Sequence, residues 1–313
     1  MASRVNVLLV VVMALGLMYA CNMQAHHGTC HTLDTIPPDE LAVIEKEAFA
    51  SLELIHDGST TRAWTALHPR MQEQLTPEQL AVQLDFGKSR IRNLAKAFVH
   101  DLQVLRIAGN ISGPALCGVA DQDDPRHRLV HLQASNEKIA VVTVRMPGSP
   151  IATTAVLQFR VWDDHWMLWG FHVGDYALDG HDAAYFETLG DAINAPDQLV
   201  AAFVYYNAAF YLSIPAPYLS SADTHRLKGK VTAIEANPLF AEQAFEWSID
   251  GKRFTILGLG THVTLGDYGV EIRYISHGDL SRQSTRPEAR SLSDYLSDCP
   301  PSRNSVLDRV INR

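Results

Sequence analysis

Four side chains able to bind a transition metal fall within six residues at His26-His27-Gly28-Thr29-Cys30-His31. Imidazole and thiolate suit zinc or copper, but a structural site takes four ligands on a rigid scaffold, and no further ligand pair follows at the usual spacing. The segment reads as a solvated tether, and neither a metal nor another cofactor is expected. A second group of chemically able residues lies at 158–173, where Gln158, Arg160, Trp162, Trp166, Trp169 and His172 fall on two consecutive strand-like runs. Imidazole can exchange a proton near neutrality, and indole rings can floor a ligand pocket. Strict alternation puts His172 on the face shared by Trp166, Leu168 and Gly170, and Arg160 on a face with Gln158. No acid stands at a spacing that would tune His172, so no catalytic set is identified. Arg160, Trp166 and His172 are read as candidate ligand-binding residues.

The elements that must position them are legible from period and punctuation. Pro37-Pro38 opens the first folded unit. From residue 39 to about 57, Leu41, Ile44, Ala48, Leu52 and Ile55 recur at helical spacing, with Asp39 and Glu40 at the end that the helix dipole favours for acids. Gly58-Ser59 breaks this helix, and a second follows with Trp64 and Leu67, ending at His68-Pro69. Thr76-Pro77-Glu78 starts a third, with a capping Thr and a Pro at the first helical position. Strand signals take over from about residue 98. Residues 138–146 and 151–162 flank Pro147-Gly148-Ser149-Pro150, and Asp163-Asp164-His165 turns the chain into residues 166–173. Helices first and an antiparallel sheet afterwards predict an α+β unit with helices on one sheet face.

Over residues 39–174 the chain resembles the nuclear transport factor 2-like (cystatin-like) superfamily, in particular small bacterial envelope domains. The resemblance rests on Ala63-Trp64-Thr65-Ala66-Leu67-His68-Pro69, on Leu75-Thr76-Pro77-Glu78-Gln79-Leu80, and on the closing hairpin 156–173 with its central Trp166. It implies a cone of helices packed on a curved antiparallel sheet, with a mouth that can hold a small molecule or a partner segment. Such folds host enzymes and binding modules alike, so activity does not follow from the likeness.

Residues 175–225 read as a helical linker. Within it, residues 199–214 are apolar almost all round, as in a helix buried in protein or lipid. Sixteen residues at about 1.5 Å each cover about 24 Å, short of a bilayer's hydrocarbon core of about 30 Å, and Asn207 sits midway. A buried interdomain helix is therefore expected in preference to a membrane span. Residues 226–280 carry strand patterns at 227–234, 244–249, 253–257, 263–265 and 270–275, with Asp250-Gly251 as a tight turn. Gly-x-Val, Ile-Asp-Gly-Lys-x-Phe and Val-x-Ile-x-Tyr in this stretch resemble small oligonucleotide/oligosaccharide-binding (OB-like) β barrels, which implies a small all-β barrel domain. Residues 281–313, rich in Ser, Arg and Pro, read as a mobile tail whose Cys299 could pair with Cys117 or Cys30.

The first twenty residues set the compartment. Arg4 followed by an apolar run over 5–20 is a signal-peptide pattern, and the run is short for an uncleaved anchor. Leu17-Met18-Tyr19-Ala20-Cys21 resembles a bacterial lipobox, which implies lipidation at Cys21 and, with Asn22 rather than Asp following, an outer-membrane lipoprotein facing the periplasm; a soluble periplasmic or secreted protein is the alternative. The formal charge of -9 and the lack of Lys/Arg clusters argue against nucleic acid as a partner. The expectation is a non-catalytic cell-envelope lipoprotein, held on the membrane by its lipid and binding an envelope protein partner or a small ligand, in an immunity or secretion-assembly type of role. The alternative is a periplasmic enzyme using the mouth of the cone.

Overall fold

The computed structural model describes residues 28–91, 93–194, 199–237, 245–249, 252–264 and 267–275. The signal segment, Cys21, His26, His27 and the tail with Cys299 lie outside them.

Strand β1 (Gly28–Thr32) is followed by helices α1 (Pro38–Asp57), α2 (Thr60–Ala66), α3 (Pro69–Gln72) and α4 (Pro77–Arg90). The start and stop of α1 and the start of α4 are those the sequence marks, whereas α3 is a further short helix that begins at Pro69, where the second helix is expected to end. Gly58 closes α1 in the left-handed region at φ 72°, and Thr76 and Gln79 form a reciprocal capping box at α4. Strands β2 (Phe98–Ile107), β3 (Asn110–Cys117), β4 (Arg128–Ser135), β5 (Lys138–Met146), β6 (Ile151–Trp162), β7 (His165–Leu178) and β8 (His181–Asp182) come next. A strongly curled antiparallel sheet runs β1-β2-β5-β6-β7-β8. The chain is α+β, as expected.

The expected tether does not hold for residues 28–32. They form β1, paired with β2 from Gly28↔Ile107 to Thr32↔Gln103, and Cys30 is joined to Cys117 by a disulfide. A thiol so engaged is no metal ligand.

One face of the sheet carries Leu102, Val104, Val142, Ala155, Leu157 and Phe159 against Ile44, Leu52, Ile55, Leu80 and Leu84 of the helices. The other face is covered by the chain's own hairpin. β2 and β3 are one strand interrupted at Ala108-Gly109, and β4 and β5 one strand interrupted at Asn136-Glu137. At the break Gly109 (φ 82°) and Asn136 (φ 48°) are held together by two hydrogen bonds: the Gly109 N–H donates to Asn136 Oδ1 at 2.7 Å, and the Asn136 N–H donates to the Gly109 carbonyl at 3.0 Å. Glycine, and to a lesser degree asparagine, tolerate that left-handed backbone. Past this hinge β3 and β4 fold back as a flap over Leu105, Ile139, Val141 and Val156, to which they add Ala115, Val130, Leu132 and Ala134. With both faces covered over most of their length, β5 and β6 are buried almost continuously and not at alternate residues.

Residues 175–225 are not a bare linker. β7 runs on to Leu178, and α5 (Ala183–Ile193), α6 (Leu199–Ser213), β9 (Leu219–Ser221) and α7 (Ala222–Glu235) follow. β9 joins the flap beside β4. Helix α6 is the expected buried helix: Ala202, Phe203, Tyr205, Ala209 and Leu212 pack among Leu178, Phe186, Leu227 and Val231. Asn207 donates to the Phe203 carbonyl at 2.9 Å, one turn back on the same helix. No helix among the described residues is long and apolar enough to cross a membrane.

The strand expected at 227–234 is instead the body of α7. Leu227, Val231 and Ile234 are its buried residues, at helical spacing, and the Ser221 hydroxyl caps it by accepting from the Thr224 N–H. The same Leu227-Lys-Gly-Lys-Val231 run also satisfies a period of two, which is why it reads as a strand in isolation. Further on, β10 (Phe245–Ile249), β11 (Lys252–Thr264) and β12 (Asp267–Ile275) form an antiparallel three-stranded sheet, with Phe254 and Ile256 buried.

Candidate functional site

A β-bulge decides where the candidate residues point. In the β6–β7 pairing, Gln158 faces Gly170 but Phe159 faces Leu168, so Trp169 is an extra residue. One inserted residue shifts every later side chain to the opposite face. Trp166 pairs with Val161 and packs into the helix-facing core, with the Lys138 ammonium 5.3 Å from its ring. His172 pairs with Val156, whose side chain belongs to the core beneath the flap. Trp166 and His172 therefore lie on opposite faces, and the shared face expected from strict alternation is corrected by the bulge.

Arg160 and Trp169 lie on the flap side, in a groove of about 830 Å³ with Gln133, Gln158 and His131. Arg160 is engaged through both terminal nitrogens and its ring-facing plane, while its Nε is buried without a partner. It pairs with Glu137 at 2.5 Å, donates to the Gln133 carbonyl at 2.8 Å and lies 3.4 Å from the Trp169 ring centroid. Glu137 also receives Arg70 at 3.0 Å. His68 is wedged edge-on between Trp162 and Trp169, and its Nδ1 accepts from the Arg70 N–H. This cluster ties the α2–α3 corner to the sheet and commits both terminal nitrogens of Arg160. Burial first, and then the Arg90 charge, hold His172 below its ordinary pKa.

The interior between helices and sheet, where the cone reading expects a mouth, is filled by apolar side chains. The polar cavity is on the other side. It is a cleft of about 240 Å³, floored by the sheet and walled by α5, the end of α6, β9 and α7. Its floor follows from the strand pattern. On the flap face β5 passes from Ile139 and Val141 to Thr143 and Arg145, β2 passes from Leu105 back to Gln103 and Asp101, and β6 supplies Thr154 beside Arg145. The flap covers the apolar stretch and stops short of the polar one.

Most charges lining the cleft are already paired. Asp101 receives Arg128 at 3.2 Å and Gln103 at 2.8 Å, and Arg226 is bound to Glu187 and Asp223. Asp182 caps α5 through the Tyr185 N–H. Arg145 differs. Its guanidinium lies 4.7 Å from the Tyr176 ring centroid, it makes no hydrogen bond or ion pair among the described residues, and its Nε is buried without a partner. Burial disfavours its charge, only partly offset by Tyr176, Asp182 and Asp101. Gln103, 2% exposed, has an Oε1 that is likewise buried without a partner. His100, in the bulge of β2, is held below its ordinary pKa first by burial and then by the Arg145 charge. The site thus offers an unused strong donor and an unused acceptor, with no nucleophile–base pair between them. No group of three or more His, Cys, Asp or Glu among the described residues is placed to hold a metal.

None of these cleft residues is singled out by sequence motifs. The available signal was Arg145 itself, a cation between Val144 and Met146 in a strand otherwise apolar from Ile139 onward except for Thr143. Comparison of the chain with protein-family models, with curated proteins and with solved structures finds no match.

Proposed function

We propose that this chain is an exported bacterial cell-envelope protein, tethered through a lipid on Cys21, that acts as a non-catalytic binding module and takes its small ligand, or a segment of an envelope partner, in the cleft beside Arg145. The observation that carries the binding reading is the unpaired guanidinium in a polar cleft whose other charges are mutually satisfied. Buried polar groups in native proteins are overwhelmingly partnered, so one left open at a concave surface marks a place where a partner is supplied from outside.

The compartment has support of its own. The Cys30–Cys117 disulfide is of a kind that persists in oxidising surroundings such as the periplasm. It also leaves Cys21 outside that pair and available for acylation. We further read residues 39–174 as nuclear transport factor 2-like, supported by helices preceding a curled antiparallel sheet. The OB-like reading of the C-terminal segment rests on the three-stranded β10–β12 meander alone. The alternative, an enzyme using the mouth of the cone, draws no support from that interior, which apolar side chains fill.

Two measurements test the proposal. Growth with a radiolabelled fatty acid is expected to label the protein, and label that survives Cys21→Ala sinks the lipid tether. A photo-crosslinking residue at Ser220, on the rim of the cleft, is expected to trap a discrete adduct in intact cells, while the same residue at exposed Val82 traps none. Equal trapping at both sites removes the cleft as the binding surface.

A further inference from the structure

We infer that the cleft takes a small carboxylic acid that also carries a hydrogen-bond donor, of the amino-acid or hydroxy-acid class, with its carboxylate on Arg145 and its donor on Gln103. This rests on the binding reading above and specifies the ligand for the same site.

Three observations lead there. The first is the state of Arg145. A guanidinium presents a planar fork that matches a carboxylate through two parallel hydrogen bonds. Here the fork is oriented by the Tyr176 ring at 4.7 Å and makes no ion pair within the described residues, although Asp101 and Asp182 line the same cleft. Asp101 is committed to Arg128, Gln103 and the Leu102 N–H, and Asp182 to the start of α5. Both lie near enough to offset part of the burial of Arg145, but neither forms an ion pair with it.

The second is Gln103. Its Nε2 donates to Asp101 Oδ2 at 2.8 Å, which fixes the amide orientation and turns its Oε1 into an acceptor with nothing to accept. A buried donor and a buried acceptor left open in one cleft ask for a ligand with both complements. A simple anion answers only the first, and an amine only the second.

The third is size. A volume of about 240 Å³ is the room of about eight waters at about 30 Å³ each. That admits a free amino acid or hydroxy acid at the floor of the site. Thr143, Thr154 and the Ser220 and Ser221 hydroxyls supply further polar contacts along the walls.

The test uses the full secreted chain, without its lipid, and three probes: L-glutamate, glutarate, which is the same dicarboxylate without the amine, and putrescine, a diamine without an oxyanion. Calorimetric titration is expected to show L-glutamate binding at least tenfold more tightly than glutarate, and no binding of putrescine. The Arg145→Gln variant is expected to lose L-glutamate binding at least tenfold while its circular dichroism and Tm without ligand stay as in the parent. Should that variant fail to fold, the Nε–H resonance of Arg145 in the parent protein supplies the readout, expected to move on addition of L-glutamate and not of putrescine. Glutarate binding as tightly as L-glutamate overturns the donor half of the inference. If L-glutamate leaves the resonances of Arg145 and Tyr176 unmoved while uncharged fragments shift Tyr176, the ligand class is wrong and the binding cleft stands. If neither acids nor fragments shift them, both fail.

Discussion

Arg90, at the end of α4, and Asp175, on β7, form an ion pair of 2.5 Å with side chains 9% and 1% exposed. The Tyr211 hydroxyl of α6 donates to the same carboxylate oxygen at 3.1 Å. One carboxylate thus joins the first helical layer, the sheet and the second helical cluster. A buried pair gains little over well-packed apolar residues, but removing one partner leaves an uncompensated buried charge at a cost of about 3–5 kcal/mol. Asp175→Ala is expected to lower the unfolding free energy by that order in urea titrations, and adding Arg90→Met to the same chain is expected to recover much of it. If the double variant is as unstable as the single one, the loss comes from something other than the stranded guanidinium.

The disulfide closes a long loop, with Cys30 and Cys117 separated by 87 positions. In the chain-entropy account a loop of that order is worth about 4–5 kcal/mol. The Cys30→Ser/Cys117→Ser variant is expected to unfold at lower urea concentration with stability reduced by about 4 kcal/mol, and reductant is expected to bring the parent to the same midpoint. A midpoint insensitive to reductant contradicts a closed Cys30–Cys117 bridge.

Gly190, within α5, is a position where helix propensity and packing disagree. Alanine gains about 1 kcal/mol over glycine in a helix interior. A Cβ at Gly190, however, would stand 2.7 Å from Cε1 and 2.8 Å from Cδ1 of Tyr206, a buried ring on α6. Overpacking of this kind typically costs about 1–3 kcal/mol. Gly190→Ala is therefore expected to lower Tm, and a rise in Tm would show that the α5–α6 contact can slide apart freely.

His68 gives the fold an acid-sensitive point. It is 3% exposed, and its Nδ1 accepts the Arg70 N–H, which only the neutral ring can do. Burial first, then the Arg160 and Arg70 charges, hold its pKa below the ordinary 6.5, with Glu137 opposing. With a lower pKa in the folded chain, the unfolded chain takes up the proton first as pH falls, so the stability of the neutral form is lost below about 6.5. His100 and His172 are shifted in the same direction and add to the trend. Tm is expected to fall between pH 7.5 and 5.5, and less steeply in His68→Asn, which keeps a capping acceptor without a titrating ring. An unchanged slope in that variant removes His68 from the effect.

The helical half of the first unit was legible because its signals are local. Asp39 and Glu40 open α1, Gly58 stops it, and the Thr76 cap with Pro77 starts α4, each acting within one turn. What the sequence hid was set by long-range contacts. The bulge at Trp169 has no signature in the run Met167-Leu168-Trp169-Gly170, yet it decides which face His172 takes. The flap is equally silent, since its hinge is one glycine and one asparagine 27 positions apart. α7 was misread because Leu227 and Val231 fit both periods, and only burial against α6 selects the helical one. The cleft follows from all three, being the part of the sheet that the flap leaves bare and the second helical cluster walls in.

The kinked hairpin also makes the disulfide a latch between two distant parts of the sheet. Cys117 ends β3, at the far tip of a ribbon that starts at Phe98, whereas Cys30 sits on a strand that has no neighbour until β2 is in place. In the native arrangement the two sulfurs are brought together by β1 docking on β2 and by the ribbon bending double at Gly109 and Asn136. The bridge is therefore a covalent record of that closure, locking the first strand to the tip of the bent ribbon across the sheet.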